Sequence, residues 1–119
     1  GATCLLRGKC ASTNWYKEED FLKNYGAIPA NERYTQDGKY WTSAGVTAGM
    51  DMALAMMKDI YGTRYAQAIM LDMEYDPHPP LEGGTPEKTG WAVNRLMKSM
   101  CDGGVSPLVD SLEKAKQPR

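Results

Sequence analysis

The 119-residue chain contains a single histidine, His78, and that scarcity excludes two chemistries that motifs can reveal. No Cys–His or Ser–His relay can be read around one imidazole in this way, and a histidine-built metal cluster is impossible. Cysteine is sparse as well. Cys4, Cys10 and Cys101 are odd in number and irregularly spaced. They make no disulfide framework and fit a reducing compartment, so a cytoplasmic location is expected. An excess of charge of one sign is also missing. Fourteen basic side chains stand against fifteen acidic ones, for a formal net charge of −1. That balance removes the main electrostatic reason to expect nucleic-acid binding. The longest stretch without charge or proline, Tyr40 to Met50, is interrupted by Thr42, Ser43, Gly45, Thr47 and Gly49. No transmembrane helix fits there, and no membrane partner is expected. There is no secretory signal, and the first residue is Gly1 rather than Met, which reads as a processed, tagged or truncated N-terminus. The length corresponds to one domain or part of one.

What is present is a sequence of changing periods. Residues 1–12 read as a short apolar helix end (Ala2, Leu5, Leu6), a break at Arg7-Gly8, and a brief strand through Cys10-Ala11-Ser12. Tyr16 to Tyr25 carries Phe21, Leu22 and Tyr25 at helical spacing, with Gly26 placed to close the helix in a left-handed conformation. Glu32 to Gln36 and Lys39 to Ser43 flank Asp37-Gly38, a strong short-range hairpin signal. Val46, Met50, Ala53, Leu54, Met57 and Tyr61 then fall on one face of a helix of about four turns, ended by Gly62. Ala66, Ile69, Met70 and Met73 predict a second helix running to about Tyr75. Asp76-Pro77-His78-Pro79-Pro80 cannot continue it, and the linker extends through Gly83-Gly84. Thr85-Pro86-Glu87 has the composition of a helix start, followed by the apolar stripe Val93, Leu96, Met97 and Met100. Gly103-Gly104 is expected to stop that helix, and Ser106-Pro107 to open a last one with Val105, Leu108, Val109 and Leu112 and a basic end at Lys114 and Lys116. One strand and one hairpin are too little sheet for so many amphipathic helices. Two readings stay open: an unusual α+β domain, or the back half of a larger α/β domain.

Several ordered runs resemble the DJ-1/PfpI superfamily, and within it the isonitrile hydratase branch. They are Gly1-Ala2-Thr3-Cys4-Leu5-Leu6-Arg7-Gly8, Ala11-Ser12-Thr13-Asn14-Trp15, Tyr25-Gly26-Ala27-Ile28-Pro29 and Asp37-Gly38. Thr42-Ser43-Ala44-Gly45-Val46-Thr47-Ala48-Gly49-Met50-Asp51, Tyr75-Asp76-Pro77 with Pro79-Pro80, and Gly84-Thr85-Pro86 complete the set. Each run is weak alone. Their order and spacing agree from residue 1 to about residue 100, and the Tyr-Asp-Pro-x-Pro-Pro run points to the hydratase branch.

The resemblance implies a flavodoxin-like three-layer α/β sandwich, of which residues 1–119 form the C-terminal part of a single domain. It implies a small-molecule substrate, no cofactor, and association with an N-terminal half or a homodimer partner. A nucleophilic Cys on a strand-to-helix elbow attacks the isonitrile carbon in such enzymes, and an acidic residue shuttles protons and activates water. The resemblance places both groups upstream of Gly1, so no catalytic residue is expected in this chain, and the isolated chain is expected to be inactive. A glyoxalase or stress protein of the same fold is the alternative, as is a non-catalytic association module.

Residue by residue, a reactive thiolate needs a helix N-terminus or a cationic neighbour, and Cys4 instead lies near the end of its helix, just before the Leu5-Leu6-Arg7-Gly8 break. Cys4 and Cys10 are therefore expected to be small buried thiols, and Cys101 has no acid or histidine at a useful spacing. His78 sits in a proline-rich linker and is expected to be exposed. Many superfamily members carry histidine at the position of Asn14, which can orient a ligand but cannot take up a proton near neutral pH. Ala44, Gly45, Val46 and Thr47 are the main pocket candidates, joined by Asn14 and Trp15. Gly45 permits unusual backbone geometry, and a helix starting near Val46 offers free N–H groups to a polar ligand. The bland alternative is that Gly45 and Gly49 serve a tight turn and close helix–sheet packing. Met50, Met57, Met70, Met73, Met97 and Met100 are expected to fill the core. Glu18-Glu19-Asp20 opens a helix and meets its positive pole, and no metal site is expected there.

Overall fold

The computed structural model describes residues 4–116, which divide into two compact units between Pro79 and Pro80. The first unit holds, in chain order, β1 (Cys10–Ala11), α1 (Glu18–Asn24), β2 (Ile28–Pro29), β3 (Tyr34–Asp37), β4 (Tyr40–Ser43), α2 (Val46–Tyr61) and α3 (Thr63–Asp72). Strands β1 and β2 pair in parallel, with Cys10 opposite Ile28 and Ala11 opposite Pro29, and α1 forms the crossover between them. This is a βαβ unit. Its core is the contact of Ala11, Leu22 and Ala27, with Leu6 packed against it. The chain can reverse after α1 because Gly26 adopts a left-handed φ of 73°, and a Cβ there would press on the Arg7 side chain at 3.3 Å. β2 was not evident in the sequence, because Pro29 has no N–H and suits only an edge or a strand end.

Strands β3 and β4 form the antiparallel hairpin that the sequence predicts, in a register pairing Tyr34 with Ser43 and Asp37 with Tyr40. The turn residues are Gly38 and Lys39 rather than Asp37 and Gly38. Gly38 supplies the positive φ of 62°, while Asp37 stays in the strand with its carboxylate otherwise engaged. One carboxylate oxygen accepts the Cys10 backbone N–H at 2.9 Å, and the other meets the Lys9 ammonium at 3.0 Å. The Ser12 N–H donates to Thr42 Oγ1 at 2.9 Å, and the Ser12 and Thr35 hydroxyls lie 2.5 Å apart. Side chains thus join β1 to the hairpin where no backbone ladder does.

Helices α2 and α3 meet at Gly62, whose N–H closes α2 on the Lys58 carbonyl and whose own carbonyl accepts the Ala66 N–H. The two helices agree with the predicted positions, but their buried faces agree only in part: Ala66 and Ile69 on α3 and Leu54 and Met57 on α2 turn inward as predicted, and the other marked residues do not. Ala48 and Ala66 are the buried residues, and Met52, Leu54, Ala55, Met56, Met57 and Ile69 are half-buried. Val46 is 85% exposed, and Met50, Ala53 and Tyr61 also face outward. Small alanines make the close contacts, so the packed face is rotated from the one that the large apolar residues mark. The methionines follow suit. Of the six assigned to the core, Met50, Met70, Met73, Met97 and Met100 are exposed, and Met57 alone is half-buried.

In the second unit, helix α4 (Trp91–Lys116) begins later and runs further than the sequence predicts. Residues 85–89 form a turn before it, in which Thr85 Oγ1 accepts the Lys88 N–H at 3.3 Å and its carbonyl accepts from Thr89. Asn94 bonds back to the Pro86 carbonyl at 3.3 Å. Gly103 and Gly104 do not end α4, and Ser106-Pro107 does not open a new helix. Pro107 lies inside α4, where it can make no N–H bond to the residue 103 carbonyl, a local loss that the long helix absorbs. Ala2 lies outside the described residues, and the side chains of Glu18, Val105, Leu108, Val109, Leu112, Lys114 and Lys116 also fall outside the description. No helix among the described residues is long and apolar enough to cross a membrane.

Candidate functional site

The direction of the strands fixes where the candidate site lies. Cys10 is held at Asp37 and Ser12 at Thr42 and Thr35, so β1 runs with β4 and against β3. β2 runs with β1. The segments after β1 and β4 therefore leave the same carboxyl edge of the strands. The first carries Asn14 and Trp15, and the second carries Ala44 to Thr47. In open α/β folds, ligands bind outside the carboxyl ends of parallel strands.

Asn14 does local work at this edge. Its side-chain carbonyl accepts the Tyr16 N–H at 3.0 Å, and its backbone carbonyl accepts the Lys17 N–H at 3.0 Å, shaping the turn into α1. Trp15 is 37% exposed beside it. Ala44 is half-buried and donates its N–H to the Arg33 carbonyl at 2.8 Å. Gly45 occupies the N-cap of α2 at φ −153°, ordinary extended backbone, and a Cβ built there meets nothing within 4 Å. The expectation of unusual geometry at Gly45 is thus overturned. Gly49 is the glycine in close packing, its Cβ direction 3.4 Å from Ser43 Oγ. Helix α2 has no side-chain cap and no acidic residue in its first turn. Its N-terminal N–H groups thus take no side-chain cap, and its positive pole suits a polar or electron-rich ligand.

The cysteines depart from expectation. Cys4 and Cys10 are exposed, and Cys101 is half-buried. Strand alternation turns Ala11 inward, so Cys10 points outward, while Cys4 sits in a turn at a positive φ of 58°. His78 is exposed as expected, with Nδ1 2.9 Å from the Asp76 carbonyl. Among the described residues no group of three His, Cys, Asp or Glu side chains is placed to hold a metal ion.

Behind the Ala44–Thr47 turn lies a cluster to which sequence reasoning gave no role. Asp51, in the second turn of α2, receives the Tyr75 hydroxyl on one carboxylate oxygen and the Arg33 guanidinium on the other, Arg33 Nε at 3.1 Å. The Tyr75 hydrogen bond, followed by that from Arg33, holds the Asp51 carboxyl below the usual carboxylate range. The same bond pushes the Tyr75 phenol up. A cleft of about 310 Å³ opens beside the cluster, lined in part by Tyr34, Asp51, Lys58, Gln67, Met70 and Tyr75. The signal was an acid within the otherwise apolar Met50–Leu54 run. Arg33, eighteen residues earlier, carried no spacing cue.

No family model matches the chain. The sequence is 42% identical over 93 residues to an isonitrile hydratase from Pseudomonas putida, covering 78% of this chain and 40% of that protein. A crystal structure of a ThiJ/PfpI family protein from Pseudomonas syringae superposes with a TM-score of 0.81 at 35% identity, covering 86% of this chain and 42% of that one. The chain thus spans about two fifths of the length of these relatives. On these two matches the chain belongs to the DJ-1/PfpI superfamily, isonitrile hydratase-like in sequence and flavodoxin-like in fold.

Proposed function

We propose that this chain forms the pocket-completing part of an isonitrile hydratase, which adds water to R–N≡C to give the formamide R–NH–CHO. The observation that carries this reading is the 42% identity to the curated hydratase. The departure of residues 14–15 and 44–47 from the same carboxyl edge supports it. In this reading the nucleophilic thiolate and its acidic partner come from polypeptide outside these 119 residues. The thiolate adds to the isonitrile carbon, which takes a proton to give a thioimidate R–N=CH–S; water then adds to that carbon, the nitrogen takes a proton, and the thiolate leaves to release the formamide. The uncapped N-terminus of α2 supplies N–H groups that orient the electron-rich substrate, and Asn14, Trp15 and Ala44 to Thr47 shape its surroundings. No proton transfer is assigned to His78, which lies exposed in the proline-rich segment.

The test compares the 119-residue chain with a longer polypeptide that includes the upstream segment, using an aliphatic isonitrile and following formamide by NMR. The longer polypeptide is expected to form formamide, and the isolated chain to show no turnover above buffer. Hydration by the isolated chain would overturn the reading. So would a longer polypeptide that consumes glyoxals but no isonitrile, or one that does neither and only associates.

A further inference from the structure

We propose that Asp51 is a positioning residue for the Ala44–Thr47 turn, acting through Arg33 and Tyr75. This deepens the pocket assignment above and rests on it.

The argument begins with Arg33, which is held at two points. Its backbone carbonyl accepts the Ala44 N–H at 2.8 Å, and its guanidinium grips the Asp51 carboxylate through Nε and a terminal nitrogen. Both nitrogens donate to one carboxylate oxygen, Oδ2, and so hold that oxygen against Arg33 while leaving Oδ1 to another partner. Ala44 and Asp51 therefore share one anchor, and the Ala44–Thr47 turn and the start of α2 lie between the two tethered points. The Gly49 N–H bonds to the Gly45 carbonyl at 2.8 Å within that span. Gly45 itself contributes no constraint, because it sits in ordinary extended geometry with empty space around it. The turn also has no side-chain cap. Its placement falls to the tether.

Tyr75 completes the device. Its hydroxyl donates to the second carboxylate oxygen of Asp51, so the carboxylate cannot swing about its bond to Arg33. Tyr75 also begins the segment Asp76-Pro77-His78-Pro79-Pro80, and its backbone N–H bonds to the Met70 carbonyl at 2.8 Å. The end of α3 and the origin of the proline-rich segment are thereby tied to the same helix that presents the pocket turn. The Asp51 carboxylate bonds to Arg33 and Tyr75, neither of which is assigned to substrate contact, which makes its role one of positioning.

The experiment measures amide hydrogen exchange in the 119-residue chain for Asp51→Asn and Tyr75→Phe, with Leu22→Ala as a control in the other cluster. Ala44 and Gly49 report on the turn, and Ala27, bonded to the Leu22 carbonyl at 2.9 Å, reports on the control site. Asp51→Asn is expected to accelerate exchange at Ala44 and Gly49 about tenfold while Ala27 is unchanged, the size expected from losing a charged hydrogen bond. Tyr75→Phe is expected to act at the same two amides with a smaller factor, and it decides the matter if Asp51→Asn fails to fold. Leu22→Ala is expected to act first at Ala27. Equal acceleration at all three amides in the Asp51 and Tyr75 variants, or none at Ala44 and Gly49, would overturn the proposal. In the longer polypeptide, Asp51→Asn is expected to raise KM for the isonitrile by a larger factor than it lowers kcat; the reverse split would also overturn it. Absence of isonitrile turnover in the unsubstituted polypeptide would instead sink the hydratase reading, while the exchange data still decide the role of Asp51.

Discussion

Replacing Leu22 with alanine removes the one large side chain among the described residues that is buried in the first unit's core, where its neighbours Ala11 and Ala27 are already small. Leu22 is 5% exposed. Three buried carbons at roughly 0.8 kcal/mol each give about 2.4 kcal/mol of lost transfer free energy. The alanines on either side have no atoms to move into the space, and Leu6 alone can relax toward it. A residual void of about 40 Å³ at roughly 24 cal/mol/Å³ adds about 1 kcal/mol. The expected loss is therefore about 3 kcal/mol, which for a chain of this size lowers Tm by about 10–20 °C. Urea unfolding followed by far-UV circular dichroism measures it, with m unchanged if only the native packing is affected. A loss below about 1 kcal/mol would show that α1 does not hold the β1–β2 pair through Leu22, and the βαβ core described here would be wrong.

Two other expectations concern the hairpin and the site's edge. Asp37 has its carboxyl held below the usual range, chiefly by the Cys10 N–H and then by Lys9. Its contribution is present above the unfolded carboxyl value and is lost as pH falls through the lower folded value. Asp37→Asn should therefore destabilise the chain at neutral pH, and its deficit relative to the unsubstituted chain should shrink as the pH of a denaturation series is taken into the acid range; a deficit constant with pH would contradict the assignment. Gly38→Ala, at φ 62°, should cost about 1 kcal/mol, whereas Gly45→Ala, at extended geometry with nothing within 4 Å of its Cβ, should change stability by less than about 0.5 kcal/mol. Paired thermal melts of the two variants compare them, and a larger cost at Gly45 would restore the special-geometry reading of that residue.

Local chemistry in the sequence determined a good deal of this protein. The Asp37-Gly38 pair announced the hairpin because one residue must take a positive φ, and Gly26 and Gly62 ended helices for the same reason. Helical spacing located α2 and α3, and the ordered runs carry the family resemblance on their own. Asn14, Trp15 and Ala44 to Thr47 could be named as pocket residues because they lie within those runs. What the sequence did not carry was direction and partner choice. Apolar spacing marks a stripe on α2, but the backbone approach of neighbouring elements selected Ala48, leaving Val46 and Met50 outward. The same limit hid β2, two residues long and half proline, and let Gly103-Gly104 look like a helix end that α4 passes through. Only the tertiary structure set β1 parallel to β4, so that residues 14–15 and 44–47 share an edge. And only it brought Arg33, Asp51 and Tyr75 together, because a charge pair formed across 18 residues and a phenol–carboxylate bond across 24 leave no periodic trace in the chain.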